Sequence, residues 1–415
     1  MLGKRLFKNI KQLCQVRPIE FTLAKGTELA VLPSIENAFL LVEDGIIKSF
    51  GKMQDCPQLV DAIEHDCSEK IILPGFIDAH THLVFAEPRE QEFVLKIKGA
   101  TYQQIAAAGG GILNSAKKLR ALSESELFER SLPRAYSILH TGTTTAEIKS
   151  GYGLTLADEL KMLRVARQIG THTPLTVKTT FLGAHAFPED VKRDDYLKLI
   201  LEEMIPRVAE EGLADYIDVF CEQGFFSVEE TISICETGKR FGLTPRLHAN
   251  QLSNNGGVQA GIQVNAISVD HLENIGTDEI QALVKSTTIP IALPLAAFYL
   301  NLPFPPVRKM IEAGLPLTIA SDFNPGSSPS GNMPLIVSLA CIKMRMTPEE
   351  AFNAATVNAA SALQVNKQTG SITQGKFADL IVTKPVSSLA YLPYAIAENW
   401  IDQVFVKGEA VSLPH

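Results

Sequence analysis

The sequence predicts an α/β fold: a (β/α)8 barrel joined to a small β-sandwich domain built from both chain ends. Three observations lead there. Apolar, strand-like runs alternate with segments of helical period through the middle of the chain; polar residues collect at the C-terminal ends of those runs; and the two termini share short strands broken by turn residues. At 415 residues the chain exceeds what one core comfortably fills, so a large domain with a smaller companion fits the length. The expected divisions are 1–70 and 366–415 for the two parts of the β domain, and 71–365 for the barrel.

Within the N-terminal part, "AFLLVEDGIIKSFGK" reads as a hairpin with Asp44 and Gly45 at its turn. Eight apolar runs follow: "IILPGFIDAHTH", "TTTAEIKSGY", "LTVKTTFLGAH", "YIDVFCEQ", "TPRLHANQ", "AISVDHL", "IPIALPL" and "PLTIASDFN". Segments such as "ADELKMLRVARQIG" and "VEETISICETGKRFG" separate them with helical period, so a parallel sheet with helical crossovers is expected. Eight strand-then-helix units is the count of the barrel. The C-terminal "GSITQGKFADLIVTKP" and "WIDQVFVKGEAVS" return to short strands joined by Gly and Pro.

Composition narrows the function. A hydrophobic content of 46% with 20% charged residues argues against long disorder. The net charge of −8 provides no basic surface for nucleic acid or anionic membrane, although it leaves room for one arginine in a pocket. No run reaches the roughly 18 apolar residues of a membrane span, and the basic "MLGKRLFKNIKQLCQVRPIE" lacks the apolar core of a signal peptide. The six cysteines are scattered without CxxC pairs, which suits reduced thiols. The expectation is a cytoplasmic protein with no nucleic-acid or membrane partner.

The placement of polar residues is more specific. His80 and His82, Lys149 with Tyr152, His185, Glu222, His248 with Gln251, His271, and Asp322 with Asn324 each close a different apolar run. In a barrel these ends share one mouth, where active sites are built. Side chains two apart on a strand face the same way, so His80 and His82 can reach one metal ion together. Taken with His248 and Asp322 they make three imidazoles and a carboxylate, a set suited to zinc, iron or manganese. Such a metal lowers the pKa of a bound water toward about 7 and generates hydroxide at neutral pH.

"GFIDAHTH" on the first run, single histidines on the fifth and sixth, and "SD" on the eighth resemble the amidohydrolase superfamily. That resemblance implies a metal-dependent barrel in which His80, His82, His248 and Asp322 hold one Zn2+ or Fe3+ ion, and Asp322 also takes a proton from the attacking water. The fourth run lacks the lysine that two-metal members carry there, so a mononuclear site is expected and Lys149 reads as structural. The motifs "HTHLVFAEPREQEF", "GATYQQIAAAGGGILNSAKKLR", "TTTAEIKSGYGL", "FLGAHAFP", "RLHANQLSNNGGVQAG", "DHLE" and "SDFNPGSSPS" resemble one branch of that superfamily. Its members hydrolyse the lactam bond of 4-imidazolone-5-propanoate to N-formimidoyl-L-glutamate in histidine degradation.

The residues suit that chemistry. The planar fork of Arg89 matches the substrate carboxylate bidentately, and Asp322 can act as base. By resemblance Tyr152, His185, Gln251, Asn324, Gly326 and Ser327 join Arg89 in binding substrate, while His271 and Gln251 assist Asp322 in catalysis. Related deaminases often carry a glutamate where Gln251 stands, and an amide cannot titrate. Two positions depart from the branch: Glu87 replaces a glycine close to Arg89, and Asn250 replaces an acidic residue. Other readings are another cyclic amidohydrolase or aminohydrolase, or a non-catalytic scaffold, for which loss of metal ligands would be the mark. A homodimer is expected by analogy with the superfamily.

Overall fold

The computed structural model describes residues 3–100, 104, 110–396 and 398–412. Of the motif running from Gly99 to Arg120, residues 101–103 and 105–109 lie outside the described residues.

Two eight-stranded sheets organise the chain. One is mixed and is built from both chain ends. Its strands are β1 (Lys4–Cys14), β2 (Ser34–Glu43), β3 (Ile46–Lys52), β4 (Ala62–Asp66), β5 (Ile71–Pro74), β14 (Leu380–Thr383), β15 (Ile401–Val406) and β16 (Glu409–Ala410). They run in the order β16-β15-β14-β5-β1-β2-β3, with β4 pairing alongside β1. The β2–β3 hairpin turns where the sequence expects it: Asp44 and Gly45 have φ of 49° and 80°, the two left-handed residues of a two-residue turn whose twist matches its strands. The sheet curls back on itself. Ala378 donates to the carbonyl of Gly45 at 2.8 Å, and Phe7, Leu40, Val42, Ile72, Leu380 and Phe405 share one buried apolar cluster.

The other sheet is parallel: β6 (Phe76–Asp78), β7 (Thr143–Lys149), β8 (Thr176–Ala184), β9 (Tyr216–Cys221), β10 (Thr244–Ala249), β11 (Ser268–His271), β12 (Ile289–Ala292) and β13 (Thr318–Ile319), each beside the next. Backbone bonds from Asp322 N to His80 O and from His82 N to Phe323 O, both 2.9 Å, join its two edges into a barrel. Helices cover the outside as their sequence dictates. Ser227 caps the helix Val228–Arg240 and Glu230 reaches back in a capping box, while Thr231, Ile234, Cys235 and Gly238 form its buried stripe.

The first apolar run differs from its reading as one strand. Residues 71–82 hold two strands in two sheets: β5 pairs with β1 and β14, and β6, beginning after Gly75, pairs with β7. Periodicity cannot reveal this break, because both halves are buried and apolar.

Among the described residues no helix is long and apolar enough to cross a membrane. All six cysteines are free.

Candidate active site

At the C-terminal mouth of the barrel the histidines from β10, β11 and the segment after β6 meet Asp322. His82 Nε2 and His248 Nε2 are 3.4 Å apart. Asp322 Oδ1 lies 3.5 Å from His80 Nε2 and 3.6 Å from His82 Nε2. Separations of this size are those of ligand atoms sharing one ion, since metal–nitrogen bonds of ~2.1 Å in a tetrahedron set ligand atoms ~3.4 Å apart; His80, His82 and His248 gather as one such group, and His80, His271 and Asp322 as another. His80 Nε2 is buried and has no hydrogen-bond partner. Its Nδ1 donates to Asp270 Oδ2 at 2.6 Å, which turns the Nε2 lone pair toward the cluster. Burial holds His80 and His82 neutral, pushing both far below the ordinary histidine range. The residues present therefore fit a metal ion. His271 joins the same cluster beside His80 and Asp322.

A buried charged layer supports this cluster. Asp270 also accepts from Arg246 at 3.4 Å. Asp218 Oδ2 lies 3.0 Å from His248 Nδ1 and accepts from Lys149 Nζ at 2.9 Å; Lys149 donates in addition to Glu147 at 2.7 Å. Burial opposes the charge on Lys149, but Asp218 and Glu147 outweigh it and raise its pKa. Three carboxylates against two cations, all fully buried, leave negative charge beneath the histidines, an environment that favours a cation. The expectation of a structural Lys149 is consistent with these contacts. Glu147, Asp218, Arg246 and Asp270 escape sequence reading, although charges interrupting strands that are otherwise apolar are their signal.

Above the cluster lies a cavity of about 370 Å³ lined by His82, Arg89, Tyr152, His185, His248, Gln251, His271, Asp322, Asn324, Gly326 and Ser327, with Lys96, Ile112, Phe220, Leu252, Leu300 and Leu302 completing its wall. Every candidate residue except His80 thus borders one space. His185 Nδ1 donates to the carbonyl of Gly151 at 2.9 Å, so its Nε2 is an acceptor; burial depresses its pKa to about 3. Burial raises Asp322 to about 6, against the opposing pull of His271 and His248. Burial disfavours the charged form of His271, but Glu273, whose Oε1 lies 3.4 Å from its Nδ1, outweighs that and raises it.

The loop after β13 is built by Asn324. Its Oδ1 accepts from Gly326 N and Ser327 N, and its Nδ2 donates to Asp322 O and Ser327 Oγ, all at 2.7–2.8 Å. Both ends of that amide are therefore engaged within the loop, which suits shaping more than direct contact. Arg89 is held by Glu92 Oε2 at 2.9 Å.

Two other residues position the mouth without lining it. Glu159 accepts from the backbone N–H groups of Gly151, Gly153 and Leu154 at 2.8–2.9 Å, bracing the loop that carries Tyr152. Glu222, which also closes a strand, accepts from Leu252 N at 2.8 Å and from the Ser253 hydroxyl, bracing the loop after Gln251.

The departures are local. Glu87 pairs with Lys118 at 3.0 Å and Arg130 at 3.2 Å, so its charge is met away from Arg89. Asn250 has φ of 54°, a backbone region that asparagine tolerates well, and its amide donates to Asn254 at 3.0 Å.

A closed parallel barrel with imidazoles and a carboxylate at its mouth defines a metal-dependent hydrolase class. The amidohydrolase family model matches residues 71–411, and the chain belongs to that family. Within it the chain groups with the imidazolonepropionases. It is 50% identical to the imidazolonepropionase of Flavobacterium johnsoniae over 98% of this chain and 99% of that one. To the imidazolonepropionase of Geobacillus kaustophilus it is 40% identical over 92% of both chains. Among solved structures, guanine deaminase of E. coli shares the fold at a TM-score of 0.75 with 15% identity, each chain covered completely. A zinc-bound adenosine deaminase of Xanthomonas campestris does so at 0.70 with 16% identity, over 98% of this chain and 92% of that one.

Proposed function

We propose that this protein hydrolyses the lactam C–N bond of 4-imidazolone-5-propanoate to N-formimidoyl-L-glutamate, a step of histidine degradation. The observation that carries the reading is one cavity bordered at its base by the His82, His248 and Asp322 cluster and in its wall by Arg89. Membership among the imidazolonepropionases points the same way.

His80, His82, His248 and Asp322 would hold the metal, Zn2+ or Fe3+. When bound, it supplies Lewis acidity that makes water acidic enough to ionise near neutral pH. The residues do the rest. Asp322, buried and close to His271, accepts the proton of the attacking water. His271 then polarises or orients the reacting groups. Arg89 binds the carboxylate of the propionate arm. His185 Nε2 accepts from a ring N–H, while Tyr152 and Gln251 offer further hydrogen bonds to the ring. Asn324 shapes the loop whose Gly326 and Ser327 border the substrate. Gln251 cannot shuttle protons, which weighs against deamination despite the deaminase fold neighbours. A cytoplasmic homodimer belongs to the same reading.

The test forms the substrate in situ with urocanase and follows its ultraviolet absorbance. Rapid loss is expected with the metal-loaded protein, abolished by chelation and restored by metal. Arg89→Ala is expected to raise KM by roughly two orders of magnitude, as for losing one partner of a buried charge pair. No loss of absorbance with metal-loaded wild type would overturn the substrate assignment.

A further inference from the structure

The helix Glu90–Ile97 is amphipathic in the wrong direction. Its charged face is turned inward: Glu92 is 6% exposed, whereas Phe93, Val94, Leu95 and Ile97 are 40–68% exposed. A surface helix normally buries its apolar stripe, and local rules broken this way mark functional sites. Arg89, Glu92 and Lys96 stand at i, i+3 and i+7, one above another on that face.

Arg89 and Lys96 both meet Gly326. A Cβ built on Gly326 would sit 2.4–2.6 Å from Cζ, Nη2 and Nη1 of Arg89 alike, so the guanidinium lies flat against the glycine and no side chain fits between them. Lys96 Nζ donates to the carbonyl of the same Gly326 at 2.9 Å. Its ammonium lies 5.5 Å from the centroid of the Tyr299 ring, which Phe93 stacks upon, and it lines the cavity.

Charge balance separates the two cations. Arg89 is matched by Glu92, which is itself held by Gly111 N at 2.9 Å. Among the described residues no carboxylate lies within 4.0 Å of Lys96; burial and then the Arg89 charge push its pKa down, while Glu92, shared with Arg89, pulls the other way. Among the described residues, two cations and one carboxylate leave one positive charge, and the bond to the Gly326 carbonyl uses one of the three donors of Lys96.

We propose that Lys96 is a second anchor for the substrate's carboxylate, closing a two-cation cradle with Arg89 around Gly326. This rests on the reading above that the substrate carries a carboxylate arm. Arg89 supplies geometry and Lys96 the uncompensated charge.

The experiment measures KM and kcat of wild type, Lys96→Met and Lys96→Arg on 4-imidazolone-5-propanoate and on its neutral propanamide analogue. With the carboxylate substrate, Lys96→Met is expected to raise KM roughly tenfold while kcat changes by much less, and Lys96→Arg to recover most of the loss. With the amide, wild type and Lys96→Met should have the same KM. An unchanged KM for Lys96→Met on the carboxylate, or an equal loss on the amide, would overturn the proposal. Melting temperatures of the variants show whether each is folded. Failure of the substrate assignment looks different, because wild type itself would then leave the carboxylate substrate intact.

Discussion

Lys376, in the loop before β14, is almost fully buried, donating to Ser371 Oγ at 2.7 Å and Thr369 O at 3.3 Å. Burial lowers its pKa from 10.5 to about 8. The unfolded chain therefore binds more protons between those values, so this residue's contribution to stability rises with pH from about 8 to 10.5 and is flat below 8. The stability of Lys376→Met relative to wild type should accordingly be highest below pH 8 and decline toward pH 10. Urea midpoints across that range measure it, and parallel curves for the two proteins would contradict the assignment. At this same scale the sequence was informative wherever a polar residue ended an apolar strand, as with His80, His248 or Asp322. It was silent on Lys96 and Glu92, which resemble any solvated helix charges until the helix is seen inside out.

At the scale of the element, loops are positioned by single buried carboxylates. Glu159 receives three backbone N–H groups from the Tyr152 loop. Replacing it with alanine strands those donors in a buried setting, at a cost of about 3 kcal/mol if each contributes about 1. Glu159→Ala should lower the urea midpoint by the corresponding amount and weaken substrate binding through Tyr152; equal stability to wild type would show that water replaces the carboxylate. The helix and strand runs themselves were readable, because the eight apolar segments and the helical period between them carry local signals. Asp218 and Asp270 were not, since a carboxylate within a strand reveals its purpose only when β9 and β11 bring it beneath a histidine. The division of residues 71–82 between two sheets was hidden for a related reason: β5 and β6 differ in their partners, which are distant in sequence, and not in their own composition.

For the whole molecule, that division couples the termini to the barrel. Ending the chain at Val365 would remove β14 and leave β5 an open edge, with Ile72 and Leu73 uncovered. Such a truncation is expected to lose cooperative thermal unfolding and metal retention together; a sharp transition with metal retained would show that the barrel stands alone. The pairing also has a consequence for synthesis. Ile71 donates to the Thr383 hydroxyl across 312 residues of chain, so β5 waits through the synthesis of that whole stretch before its second neighbour arrives. Domains fold as units as they emerge, but here the strand that ends six residues before His80 is completed only after every barrel strand has been made. A nascent chain can collect helices and barrel strands in sequence, yet β5 is flanked on both sides only once β14 has been made and returns to it.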